Sequence, residues 1–165
     1  MPEAFERKIE RCIAIEMACA ELYRLLGGVF PQTAELCKAL SMDEENHALL
    51  LIVGRGLYRE GRTHGGLTPE SVPSFEGLLE ELREFRRRLG QEDIPLEEAL
   101  ETALSVEKSM MEGYESAALV EEHSPFRKLF SGEQSHAKRI AALMKGMGGF
   151  SSGKKPAESS MQHWR

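Results

Sequence analysis

The sequence predicts an all-α protein in which four long helices form a bundle, with a long crossover connection between the second and third that carries an accessory helix. Three observations lead there. Apolar residues recur at helical spacing over four long stretches. The seven prolines are few, while Glu, Ala, Leu, Lys and Arg are plentiful and favour helix. The chain also repeats itself: Glu16-x-x-x-x-Glu21-x-Tyr23 matches Glu107-x-x-x-x-Glu112-x-Tyr114, and Glu44-x-x-His47-Ala48 matches Glu133-x-x-His136-Ala137. Two copies of one helical hairpin, facing each other, would gather their equivalent residues around a pseudo-two-fold axis.

The first helix is expected from about Ala4 to Leu26, with Ile9, Cys12, Ile13, Glu16, Cys19, Ala20 and Tyr23 on one stripe and Gly27-Gly28 as its stop. Pro31 suits the first position of the second helix, which should run to about Glu60 with Leu36, Cys37, Leu40, Glu44, His47, Leu51 and Gly54 along its stripe. Residues 61–73 are punctuated by glycine and proline and read as loop, and an accessory amphipathic helix is expected over Ser74–Leu89. Pro95, followed by Glu97 and Glu98, opens a third helix to about Glu122, with Leu100, Leu104, Glu107, Met111, Tyr114 and Ala118 near one stripe. Ser124-Pro125 opens a fourth, in which Phe126, Leu129, Phe130, Glu133, His136, Ile140 and Leu143 align before Gly148-Gly149.

At 165 residues the chain suits one domain, expected over residues 1–148, with 149–165 as a C-terminal tail. A net charge of −6 argues against a broad basic surface for nucleic acid, and Arg86-Arg87-Arg88 is short enough to be a solvated helix face. The amino terminus lacks the pattern of a signal peptide, and the longest apolar run, Ala48–Val53, is far below the roughly 20 residues that span a bilayer. A cytoplasmic protein without membrane partners is expected. Cys12, Cys19 and Cys37 are odd in number and contain no Cys-x-x-Cys, so they read as reduced core thiols.

The chemistry lies in Glu16, Glu44, His47, Glu107, Glu133 and His136. One Glu-x-x-His is a weak signal in a chain this rich in Glu, but two stand on apolar stripes here. Each is followed by Ala and preceded by a lone Glu, 28 and 26 residues upstream. Residues three apart on a helix project from one face, so each pair offers two ligands to the same point. Four carboxylates directed into one core would repel, protonate or cost several kcal/mol each in desolvation. Two divalent cations remove that conflict, because four negative charges and two neutral imidazoles balance two Fe²⁺ or Mn²⁺ ions. The absence of thiolates from the set argues against structural zinc, although Zn can occupy such ligands adventitiously.

With these residues in view, the chain resembles the ferritin-like di-iron carboxylate proteins, and the rubrerythrin family most closely. The likeness spans about residues 4–147 and rests on the ordered series Glu16, Glu44-x-x-His47, Glu107, Glu133-x-x-His136, with Tyr23 two turns beyond Glu16. The resemblance implies two iron ions bridged by Glu44 and Glu133. Glu16 and His47 would complete one ion's shell, and Glu107 and His136 the other's. It also implies a homodimer. The sequence departs from the family in having no rubredoxin-type Cys-x-x-Cys pairs, which implies a separate electron-donor protein. Met110 stands three positions after Glu107, where rubrerythrins tend to carry another glutamate, and the six-ligand set is in that respect closer to that of bacterioferritin.

The function expected from this reading is a non-haem di-iron oxidoreductase that passes electrons to hydrogen peroxide or dioxygen in oxidative-stress defence. The alternatives are a ferroxidase that handles iron, and a metal-free helical interaction module. Tyr23 and Tyr114 are the candidate catalytic side chains near the centre, the other reading being core tyrosines with satisfied hydroxyls. Asp43 is a candidate for orienting a ligand histidine through its outer nitrogen. Glu21 and Glu112 lie off the ligand stripe, and His64, His123 and His163 read as solvated.

Overall fold

The structure, a computed structural model, describes residues 2–60, 72–118 and 126–151. Every regular element among them is helical: α1 (Pro2–Val29), α2 (Ala34–Arg59), α3 (Leu78–Gln91), α4 (Leu96–Ala118) and α5 (Phe126–Ser151), with a 3₁₀ turn at Pro31–Thr33 before α2. The expected all-α class is thus observed. The expectations for His64, His123, His163, the Ser124-Pro125 start of α5 and nearly all of the tail fall outside the described residues.

α1 packs along α2, and α4 along α5, as two helical hairpins. The first is antiparallel, because the ion pairs Arg59–Glu6, Arg55–Glu10 and Arg24–Glu45 advance along α2 as they retreat along α1. The Phe5 and Tyr58 rings, 3.9 Å apart, close its open end. Gly27-Gly28 does not stop α1, which continues to Val29. The missing side chain at Gly27 serves packing instead: a Cβ there would lie 3.1 Å from Cys37 Cβ, so glycine lets the two helices approach where the hairpin turns. α5 likewise runs past Gly148-Gly149 to Ser151.

α3 begins four residues later than its apolar pattern suggested, because Gly77 adopts φ +80° and the chain turns there before the helix forms. Leu78, Leu82, Phe85 and Leu89 then bury one face, and α3 packs against α1. Arg86 pairs with Glu21 of α1, while Arg87 pairs with Glu84 and Arg88 with Glu92, so the basic run is a solvated, charge-matched face. Ile15, Ala18 and Leu22 are buried beyond the expected stripe of α1, which is covered on more of its circumference than its partnership with α2 alone requires. In α4 the fully buried methionine is Met110, not Met111.

No helix among the described residues is long and apolar enough to cross a membrane. Met42, Leu49, Val53 and Leu57 are exposed on the side of α2 opposite Leu40, Glu44 and Leu51.

Candidate metal centre

Glu16 on α1, Glu44 and His47 on α2, Glu107 on α4, and Glu133 and His136 on α5 converge between the two hairpins. All four carboxylates have no exposure to solvent. Glu44, His47, Glu133 and His136 each offer a ligand atom within 4.8 Å of the others, an arrangement that can hold a metal ion.

The detailed pattern is more informative than the proximity. His47 Nδ1 lies 3.4 Å from Glu16 Oε2, 3.2 Å from Glu44 Oε2 and 3.0 Å from Glu133 Oε1. His136 Nδ1 lies 3.1 Å from Glu44 Oε1, 3.4 Å from Glu107 Oε2 and 3.7 Å from Glu133 Oε2. Each paired glutamate therefore turns one oxygen to one histidine and its other oxygen to the other. Each lone glutamate serves a single histidine. The imidazoles stack with centroids 5.3 Å apart.

Oxygens of all four glutamates and Nδ1 of His136 are buried without a hydrogen-bond partner among the described residues: Glu16 Oε2, Glu44 Oε1, Glu107 Oε2 and both oxygens of Glu133. Buried polar atoms are normally satisfied, so six orphans at one point fit a cation that accepts their lone pairs. Electrostatics agrees. Burial pushes Glu16 up to about 8 and Glu133 well above the carboxylate range. Burial opposes ionisation of Glu44 as well, yet His136 and His47 hold it down to about 2. Burial also works against a charged His47, but Glu133, Glu16 and Glu44 lift it to about 12, and Glu107, Glu133 and Glu44 raise His136 likewise. Protons and a metal ion would compete for these same side chains.

Around this cluster, Tyr23 donates its hydroxyl to Glu107 and Tyr114 donates to Glu16, so each tyrosine reaches the lone glutamate of the opposite hairpin. Burial, reinforced by neighbouring carboxylates, pushes both phenols well above their usual range and keeps them donors. A surface cavity of about 370 Å³ between α1 and α2 is walled by Tyr23, Arg24, Cys37, Lys38, Ser41 and Glu45. Of the two tyrosines only Tyr23 lines it. Met110 fills its position by packing its sulfur 3.5 Å from the Cys19 thiol, and burial pushes that thiol well up. All three cysteines are buried and free.

Asp43 Oδ2 lies 3.5 Å from His136 Nε2 and accepts a 3.1 Å hydrogen bond from Arg139. Sequence reasoning missed Arg139 and Gly132. Arg139 stands three residues beyond His136 on the same face of α5, and Gly132 immediately precedes Glu133 as Asp43 precedes Glu44. A Cβ on Gly132 would collide with the outer edge of the His47 ring. No protein-family model matches the sequence, and comparison with curated proteins and with solved structures finds no significant match.

Proposed function

We propose that this protein is a ferritin-like, rubrerythrin-like oxidoreductase whose six buried ligands hold two iron ions and act on hydrogen peroxide or dioxygen. The observation that carries the reading is the division of oxygens: Glu44 and Glu133 each present one oxygen beside His47 and one beside His136, as carboxylates that bridge two ions must. Two ferrous ions would each supply one electron, which with two protons reduces one molecule of hydrogen peroxide to two of water.

The chain's own groups do the rest. Glu16 and Glu107 terminate the two ends, each held by a tyrosine from the opposite hairpin, so the ligands are oriented before metal arrives. Apolar walls from α1 and α4, including Cys19 and Met110, exclude water from the carboxylates. Electrons to restore the ferrous state come from a separate donor protein, and the exposed apolar side chains of α2 favour pairing of two chains into a homodimer.

The test is elemental analysis of reconstituted protein beside anaerobic stopped-flow oxidation. About two irons per chain, oxidised much faster by hydrogen peroxide than by dioxygen, is the expected result. Repeated turnover with a growing ferric core would instead make iron the substrate of a ferroxidase. Absence of stoichiometric metal would leave a helical interaction module and end the proposal.

A further inference from the structure

Among the equivalent positions where the two copies of the repeat differ, one pair faces the candidate ligand histidines from behind. In the first hairpin the residue before the paired glutamate is Asp43, and its carboxylate lies 3.5 Å from Nε2 of His136 in the second. In the second hairpin the equivalent residue is Gly132, and its backbone lies so close to the outer edge of the His47 ring that even a methyl group would collide with Nε2 and Cε1. Among the described residues, no carboxylate pairs with Nε2 of His47, whereas Asp43 behind His136 is itself held by a 3.1 Å hydrogen bond from Arg139. The histidines differ in access too: the side chain of His47 is 13% exposed and that of His136 is 2% exposed.

Both imidazoles turn Nδ1 to the carboxylates, so the outer nitrogen is the one whose surroundings set ring orientation and donor strength. A carboxylate at that nitrogen holds the ring and makes it a better ligand, and losing such a partner typically weakens metal binding about 10- to 100-fold. We propose that the two halves of the centre are unequal. The Glu107–His136 half, backed by Asp43 and Arg139, retains its ion. The Glu16–His47 half, backed only by the glycine backbone and open at its edge, is where an ion enters and exchanges. Asp43 and Gly132 are positioning residues in this scheme, acting through His136 and His47 respectively. The inference rests on the dinuclear reading above.

Stepwise titration of the metal-free full chain with Co²⁺, followed by calorimetry and visible absorption, tests it. Two binding steps at least tenfold apart are expected, with separable spectra. Asp43→Asn, a near-isosteric change at a half-exposed site, should weaken the tighter step by about tenfold or more and leave the looser one unchanged. Gly132→Ala should weaken only the looser step. His47→Ala should remove the looser step and His136→Ala the tighter one. Two steps of equal affinity, a single equivalent of bound cobalt, or an Asp43→Asn variant in which both steps shift together would overturn the inequality. Failure of the unaltered chain to bind cobalt at all would overturn the metal-centre reading itself.

Discussion

Tyr114 on α4 donates its hydroxyl to Glu16 on α1, a residue 98 positions earlier in the chain, and Tyr23 repays the contact by donating to Glu107 on α4. The two bonds are the same interaction seen from opposite hairpins. They tie the hairpins together at the point where the lone glutamates meet the histidines, so fold and site share these hydrogen bonds.

Removing either hydroxyl should therefore cost stability before it affects chemistry. Tyr23→Phe or Tyr114→Phe leaves a buried carboxylate oxygen without its donor, a loss of about 1–3 kcal/mol. Urea unfolding of the metal-free protein measures it. An unchanged midpoint in both variants would show that these contacts do not join the hairpins.

The two tyrosines should differ in turnover. Tyr23 lines the surface cavity between α1 and α2 as well as touching Glu107, whereas Tyr114 does not line that cavity. If electrons reach the centre through Tyr23, Tyr23→Phe slows re-reduction of the oxidised protein by a chemical donor more than Tyr114→Phe does. Equal rates in the two variants would remove Tyr23 from the route.

Metal should stabilise the fold more strongly as pH rises. Glu16, at about 8 when folded against an ordinary 4.5, and His47, at about 12 against 6.5, both bind protons more tightly in the metal-free fold than in the unfolded chain. Their contributions consequently fall as pH rises, across 4.5–8 for Glu16 and 6.5–12 for His47. Glu44, held near 2, works in the other sense and loses its contribution as pH falls from 4.5 towards 2. Bound cations would displace the protons and relieve the first two groups. The difference in Tm between metal-loaded and metal-free protein should widen from about pH 6 to about pH 9. A pH-independent difference would contradict the proton-for-metal exchange.

Loss of a ligand should separate folding from metal retention. Glu44→Ala removes the carboxylate that faces both histidines and should abolish stoichiometric metal binding, while the helical signal in circular dichroism persists because the helices rest on their apolar contacts. Retention of two metals per chain in this variant would exclude a bridging role for Glu44.

α3 gives a test away from the site. Leu82 is fully buried in the core, and Leu82→Ala should cost about 2–5 kcal/mol through lost burial and the cavity left behind. Denaturant unfolding checks this. A negligible loss would mean that α3 contributes little to the stability of the bundle.

The sequence by itself determined the helices and the inventory of candidate metal-binding side chains. Helical periodicity is local: the three-residue spacing of Glu44 with His47 and of Glu133 with His136 directs each pair from one face wherever that face points, and the repeat names Glu16, Glu107, Tyr23 and Tyr114 as equivalents. Local pattern misjudged Gly27-Gly28 as a stop and overlooked Ile15 and Leu22, because what crosses or covers α1 there comes from α2 and α3. Only the tertiary structure decided which oxygen faces which histidine, that each tyrosine serves the opposite hairpin, and that Asp43 stands behind His136 and Gly132 behind His47. The two tyrosine contacts and the Arg139–Asp43 contact join residues 84 to 98 positions apart, and packing between hairpins sets them, where a period of 3.6 residues carries no information.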